Sequence, residues 1–474
     1  MWLWIYNMRI LETKNQDNNV LHKYKDVYID SVDGHQLVFK PTSDRGLILL
    51  DAPSAFIYRS INSKRTNQDI LRLARNQDDQ TTLEQINQFI DKLQKVGLVY
   101  TKGSTYKRNQ PMKRKLSAWF HVTNQCNLRC TYCHVSKTSE RMTDEIGKKA
   151  IYKMLSDGKK NHFDIVQISF AGGEPLLEFN HITRMVKYGK KAAKEVGIPI
   201  EFAMTTNGVL ITPKVAKFIK ENNFAVAVSL DGIGKYNDMQ RMFVNGGPTF
   251  KYIEKGIKLL QDENISVHML TTITKHNVAH LPALFEWCYK NNIAFGTNLF
   301  RDNPCAKDLE LTLNEDEAIV HLKKAFRQAY EKVLEVKDQT FFYKTMNTIL
   351  DRVQISRAHD RACGIGFSYM TITHKGQIAS CPMTISDPIG SLNDADIVDT
   401  MVKKSFTYKQ KEIIEISNKC KTCKWKHICC GGCPLAFHLQ GSKESNTPDY
   451  CKLYKTLIPY LLKIEARRLI RWGW

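Results

Sequence analysis

Three cysteines on one short loop constrain this chain more than any other feature. Cys126-Asn-Leu-Arg-Cys130-Thr-Tyr-Cys133 follows the apolar run Trp119-Phe-His-Val-Thr and reads C-x3-C-x2-C. Three thiolates so placed can hold three irons of a four-iron, four-sulfur cluster and leave the fourth iron without a protein ligand. An open iron can chelate a small molecule and pass it an electron. Structural zinc asks for four closed ligands, usually as two C-x2-C pairs. Only Cys130 and Cys133 form such a pair here, and His134 would complete the set only under strain. The spacing favours a cluster over zinc.

The next apolar run, Ile165-Val-Gln-Ile-Ser-Phe-Ala, leads into Gly172-Gly173-Glu174-Pro175. Two glycines let backbone approach a ligand closely, and Glu174 can accept a hydrogen bond from an ammonium. Strand-like runs then alternate with helix-period segments. Ile198–Thr206 ends at Asn207-Gly208, Phe224–Leu230 at Asp231-Gly232, Ile265–Thr272 near Thr274, and Ile293–Thr297 near Asn298. Short apolar strands alternating with amphipathic helices predict βαβ units around a parallel sheet. Six strands are fewer than a closed eight-stranded barrel needs, and chemistry in such folds sits at the strands' carboxyl ends. Cys126, Gly172, Asn207, Asp231 and Thr274 all fall there.

C-x3-C-x-aromatic-C followed by Gly-Gly-Glu-Pro resembles the radical S-adenosylmethionine (radical SAM) superfamily. The resemblance implies a partial (β/α)6, TIM-like radical SAM barrel within an α/β fold. On the matching positions, it implies that Cys126, Cys130 and Cys133 ligate the catalytic [4Fe-4S] cluster. Gly172, Gly173 and Glu174 would hold the methionine end of SAM, and the backbone of Tyr132 would face its adenine. Thr206, Asn207, Ser229 and Arg241 sit where related enzymes contact SAM or substrate. Asp231 is the candidate catalytic base.

Of the thirteen cysteines, most of the rest lie near the C-terminus. The start lacks a signal-peptide pattern, so a secreted disulfide scaffold fits poorly and a cytoplasmic location is expected. Cys363 and Cys381 bracket Gly376 as C-x12-G-x4-C; Cys420-x2-Cys423-x5-Cys429-x3-Cys433 follows, then Cys451. This resembles the SPASM domain, which carries two auxiliary [4Fe-4S] clusters; a zinc ribbon is the competing reading. The resemblance implies interleaved ligands. One cluster takes Cys363, Cys381 and Cys433; the other takes Cys420, Cys423, Cys429 and Cys451. The first set is one short, and Cys430, Cys305, His359 or a substrate thiol are the candidates to complete it. Cys288, in Phe285-Glu-Trp-Cys-Tyr, reads as a buried thiol.

The first hundred residues hold no cysteine. Val27-Tyr-Ile-Asp and Gln36-Leu-Val-Phe flank Asp33-Gly34, a hairpin signal. Helices are expected over 52–62, 67–75 and 82–96, with Gly97 at a cap position and Leu98-Val-Tyr returning as a strand. Hairpin plus three helices resembles the winged-helix-like domain that recognises leader peptides in peptide-modifying enzymes. DNA binding and a structural cap are the alternatives. Residues 1–102 thus form the front domain, 103–116 a basic linker, 117–335 the barrel and 336–474 the SPASM domain. Trp2–Tyr6 is apolar but too short to span a bilayer, and Met8 is an alternative start. The stretch from Tyr454 to Trp474 reads as a basic amphipathic helix packing on the second auxiliary cluster. The formal net charge of +21 suits an acidic partner, although lysines spread over the helices are mostly a solvated face.

The resulting expectation is a radical SAM/SPASM maturase of a ribosomally made precursor peptide with a leader, which is acidic if the charge serves it. SAM cleavage would give a 5′-deoxyadenosyl radical, and the product would be an oxidative crosslink: a thioether, or a C–C or C–O bond. Expected cofactors are three [4Fe-4S] clusters and SAM, with an external electron donor such as flavodoxin or ferredoxin, and no nucleic acid or membrane span. Formylglycine formation, peptide epimerisation and a zinc-bearing DNA-binding regulator are the alternatives.

Overall fold

The computed structural model describes residues 19–41, 46–102, 114–306, 310–336, 349–355, 359–406 and 412–472. Most of the basic linker, the Trp2–Tyr6 run, Met8 and Trp474 lie outside the described residues. The front begins with β1 (Leu21–Lys23), β2 (Tyr28–Val32), β3 (His35–Phe39) and β4 (Leu47–Leu50). Asp33 and Gly34, at φ 45° and 80°, make the two-residue turn that joins β2 to β3. This is the double positive-φ geometry for which Asp-Gly is suited. Then come α1 (Ala52–Ser60), α2 (Asn67–Arg75) and α3 (Leu83–Lys95). Thr66 and Thr82 cap the second and third through reciprocal bonds with Asp69 and Gln85, which satisfies donors the first turn leaves orphaned. Gly97, at φ 73°, turns the chain into β5 (Val99–Thr101), which pairs with β1.

The three-stranded sheet β2-β3-β4 is covered on both faces. Val38, Ile48 and Leu50 join a core with the front helices, while Leu37, Phe39, Leu47 and Leu49 join the main core of the molecule. The second face meets Trp425, which lies 4.8 Å from the Tyr28 ring and 6.3 Å from Phe39. From the C-terminal helix, Cys451–Trp472, Lys463 pairs with Asp30 at 3.0 Å and Arg467 with Asp33 at 3.2 Å. The front unit is therefore joined to the part of the chain that carries the last cysteines.

The large sheet begins with β6 (Lys115–Thr123), so Lys115 and Leu116 belong to a strand and not to the expected linker. A short β7 (Leu128–Cys130) follows, then α4 (Asp144–Lys160), β8 (Ile165–Gly172), α5 (Phe179–Val196), β9 (Ile200–Thr206), α6 (Pro213–Glu221) and β10 (Ala225–Ser229). After α7 (Lys235–Asp238) and β11 (Arg241–Phe243) come α8 (Phe250–Asp262), β12 (Val267–Ile273), α9 (Leu281–Lys290), β13 (Ala294–Leu299) and α10 (Glu315–Val336). Six strands, β6, β8, β9, β10, β12 and β13, run parallel in chain order, as the alternating pattern predicts. The sheet continues past β6 through β14 (Tyr369–Ile372), parallel to it, then antiparallel β15 (Gln377–Ala379) and β16 (Gly390–Ser391). The cysteine-rich part thus extends the barrel sheet itself.

Alternation along the strands separates two faces. Leu116, Ala118, Phe120, Val122, Val166, Ile168 and Phe170 are buried in the main core with helix residues such as Ile151 and Met185. The opposite face carries half-buried Ser117, Gln167, Ser169, Ala203, Thr205, Ala227 and Ser229. Apart from Trp119 these are small or polar residues, where a (β/α)8 barrel would place branched apolar side chains.

Candidate active site

The site stands at the carboxyl ends of these strands. Chain leaving β6 makes the Cys126 turn, and β7 then pairs with β11 so that Cys130 stands opposite Arg241. Donors point at the sulfurs. Leu128 N and Asn207 Nδ2 lie 3.4 and 3.9 Å from Cys126 Sγ, and Lys137 Nζ lies 3.0 Å from Cys133 Sγ. Burial pushes the Cys126 thiol up, and the Cys130 thiol to about 12, with the neighbouring thiols adding to it and Arg241 opposing it at Cys130. Three thiols in one partly dry space, with the neighbouring thiols acting on Cys126 and Cys130, suit a cluster with several irons, which ionises its thiol ligands outright. Aimed N–H donors are the partners such thiolates need. The residues fit an iron–sulfur group.

The glycine pair packs on this turn. Gly173 N donates to Thr123 O at 2.7 Å and Glu174 N to Gln125 O at 2.8 Å. A Cβ on Gly172, at φ 126°, would lie 2.6 Å from Thr123 O; one on Gly173 would lie 2.0 Å from Gln125 O. The close approach is thus to the chain leading into Cys126. Glu174 is fully buried, and burial raises its carboxyl. It accepts from Thr206 Oγ1 at 2.7 Å, Leu176 N at 3.0 Å and Asn207 N at 2.8 Å. A carboxylate offers about four lone-pair sites, so room is left for one further donor. Thr206 and Asn207 therefore meet Glu174, and Asn207 also meets Asn127 Oδ1 at 2.8 Å.

Asp231, 1% exposed, lies with Tyr132 and Arg241. Tyr132 OH donates to its Oδ2 at 2.5 Å and Thr272 N to its Oδ1 at 2.8 Å; Arg241 Nη1 stands 3.6 Å away and also donates to Tyr132 OH. Burial raises the Asp231 carboxyl, against the pull of Arg241 and these bonds. Tyr132 O accepts from Asn303 Nδ2 at 3.3 Å. Ser229 ends β10 on the half-buried face that also carries Ala227. Lys137, Asn303 and a network from His121 were not singled out from sequence. His121 Nε2 meets Asn124 Oδ1 at 2.6 Å, and Asn124 Nδ2 donates to Glu140 at 3.1 Å. Polar residues within a few positions of Cys126 are the signal that could have found that network.

The later cysteines separate into two neighbourhoods. Burial pushes Cys381 to about 12, with the Cys433 and Cys363 thiols adding to the effect. Arg352 lies near Cys363 and Cys433, and Arg301 near Cys433, so cations flank this set. Cys429 is likewise raised to about 12 by burial, with Cys423, Cys420 and Cys451 adding. Cys430 sits with this second group: its thiol donates to His359 O at 2.9 Å and feels Cys429 and Cys420. Exposed Cys305 lies by the catalytic turn, with its Sγ 3.6 Å from His134 O. Cys288 is buried against Met269, as expected.

Residues 120–288 match the family model of the Radical SAM superfamily. The chain therefore carries a radical SAM domain, with the SAM and [4Fe-4S] cluster that this family uses. Its cysteine-rich C-terminal part fits SPASM. Among curated relatives, a cysteine-type anaerobic sulfatase-maturating enzyme of Clostridium perfringens is 25% identical over 72% of this chain and 94% of its own length. The radical SAM cyclopropyl synthase TigE of Paramaledivibacter caminithermalis is 24% identical over 73% of each chain. Native anSMEcpe with bound AdoMet and Kp18Cys peptide aligns over 75% of this chain and 99% of its own, at TM-score 0.61 and 22% identity. Streptococcus suis SuiB bound to precursor peptide SuiA aligns over 91% of this chain and all of its own, at TM-score 0.52 and 15% identity. The chain fits the radical SAM peptide maturases. Among the described residues no helix is long and apolar enough to cross a membrane.

Proposed function

We propose that this chain modifies a ribosomally made precursor peptide, closing an oxidative crosslink after hydrogen abstraction. The observation that carries this reading is the front unit fused to the cysteine-rich part. The precursor-bound SuiB fold spans 91% of the chain and that of anSMEcpe 75%, a difference about the size of the front unit. Bound SAM and three [4Fe-4S] clusters would supply the 5′-deoxyadenosyl radical and take up the further electron that crosslinking releases. Cys126, Cys130 and Cys133 would ligate the catalytic cluster. Glu174, with its remaining lone-pair site, would receive the SAM ammonium. Asp231 would act as base, with Tyr132 OH bonded to its Oδ2. The second reading is formylglycine formation, favoured by the sulfatase-maturating relative matched over 94% of its length.

Anaerobically reconstituted protein, SAM, dithionite and short peptides from the open reading frames neighbouring this gene test the proposal. The expected product is a peptide lighter by two hydrogens, joined between two residues by tandem mass spectrometry. A cysteine peptide converted to formylglycine, with the neighbouring peptide untouched, would decide for the second reading.

A further inference from the structure

Asn124 stands just before Cys126, is buried, and has its amide held at both ends. Its Oδ1 meets His121 Nε2 at 2.6 Å, and its Nδ2 donates to Glu140 Oε2 at 3.1 Å and to Thr138 Oγ1 at 2.9 Å. The backbone is held as well. Residues 140–142 run antiparallel to 122–124: Asn124 N donates to Glu140 O at 2.9 Å and Met142 N to Val122 O at 2.7 Å. Thr123 Oγ1 also donates to Glu140 O, at 3.1 Å. The carbonyls of Thr123 and Gln125 in turn receive Gly173 N and Glu174 N. The path of this stretch therefore places the glycine pair and Glu174 together with the first cysteine.

Both holders of the Asn124 amide lean on the turn between β14 and β15. Lys375 Nζ pairs with Glu140 Oε1 at 2.5 Å, and His374 Nε2 lies 3.5 Å from Glu140 Oε2. The His374 ring also lies 5.8 Å from the His121 ring. This turn is itself fixed. Gly376, the glycine between Cys363 and Cys381, has φ 74° and donates its N–H to Thr373 O at 2.9 Å. A Cβ there would come within 3.2 Å of Leu392 and 3.5 Å of Ile146 in α4. Glu140 and Lys375 are 41% and 58% exposed, and so wet a pair adds little to stability. If Glu140 is lost, Asn124 Nδ2 keeps Thr138 as acceptor, so the fold survives while the buried amide is freer to turn.

We infer that Glu140 is a positioning residue through which the β14–β15 turn sets the chain entering Cys126, and with it the SAM pocket. This rests on Cys126, Cys130 and Cys133 holding the cluster and on Glu174 receiving the SAM ammonium. The cysteine-rich part then has a duty beyond its own ligand sets: Lys375 and His374 brace the catalytic turn from outside the barrel. Glu140 touches neither SAM nor substrate in this role. It acts through Asn124 and Thr123, whose neighbours carry the ligands.

The test uses full-length, anaerobically reconstituted protein carrying Glu140→Ala, Lys375→Met or Lys375→Arg. Lys149→Met is the control, since Lys149 ties α4 to Asn393 at 2.5 Å, a contact between the same two parts of the chain that bypasses residues 121–126. Three quantities are read: SAM affinity by equilibrium dialysis without reductant, the change SAM makes in the electron paramagnetic resonance spectrum of the reduced protein, and hydrogen exchange across residues 120–131. Glu140→Ala and Lys375→Met should weaken SAM binding by about fivefold, the worth of one hydrogen bond. Both should broaden the SAM-dependent signal and speed exchange in that segment, with iron content unchanged. Lys375→Arg should restore wild-type values, and Lys149→Met should keep them. Unchanged SAM affinity and exchange in Lys375→Met, an equal loss in Lys149→Met, or iron loss that accounts for the whole effect would each overturn the assignment. Wild-type protein that binds no SAM would instead overturn the cluster reading beneath it.

Discussion

A single methyl group at Gly173 would meet backbone, not a movable side chain. Gln125 O lies 2.0 Å from where that Cβ would stand, one residue before Cys126. Gly173→Ala should therefore shift the cysteine turn, lowering SAM cleavage far more than stability. A shift near 1 Å in reacting geometry can cost about a hundredfold in rate. SAM cleavage within a few-fold of wild type, with iron content unchanged, would reject this account. At His121 the expectation is one of pH. Burial holds its imidazole at about 4, below the ordinary 6.5. The unfolded chain takes up a proton that the folded one refuses, so stability is full above pH 6.5 and falls as pH drops toward 4. At pH 5.5 the loss is about 1 kcal/mol. His121→Gln, which keeps a polar partner for Asn124 but does not titrate, should flatten the slope of urea midpoint between pH 7.5 and 5.5. An unaltered slope would show that other groups carry it.

At the scale of elements, much was legible because its signals are local. Asp33-Gly34 turns, Thr66 and Thr82 cap, and each strand–helix alternation of the barrel falls where period and turn residues put it. Contacts between distant segments were not legible. Nothing near Tyr369 says that β14 will lie along β6, since parallel pairing over such a separation leaves no local mark. One signal was present but unread. Leu47-Ile-Leu-Leu is apolar at every position, the mark of a strand buried on both faces, and β4 is that strand. Its sheet covers Trp425, between Cys423 and Cys429. Tyr28→Ala with Phe39→Ala should thus loosen the second auxiliary neighbourhood, costing about four of about twelve irons while SAM cleavage persists. Full iron content in that variant would mean that the front sheet merely abuts this region.

Across the whole molecule the cysteines of the two motifs fall into three neighbourhoods with different independence. Cys126, Cys130 and Cys133 share a turn after β6, and none of the later cysteines is among the groups that shift the Cys126 and Cys130 thiols. The other two are interleaved: Cys429 and Cys433 belong to different sets, yet only three residues separate them. Distant sites respond to substitution additively, while neighbours sharing backbone do not. Replacing Cys126, Cys130 and Cys133 together by Ala should abolish SAM cleavage yet leave about eight of about twelve irons. Replacing Cys363, Cys381 and Cys433 should remove more than the four irons of one cluster, because the stretch that presents Cys433 also presents Cys429. Iron and sulfide assays on the two variants, prepared anaerobically side by side, give the comparison. Equal iron loss in both would mean the auxiliary sites fold independently, and a zinc-loaded, iron-free but active preparation would overturn the cluster assignment for all three.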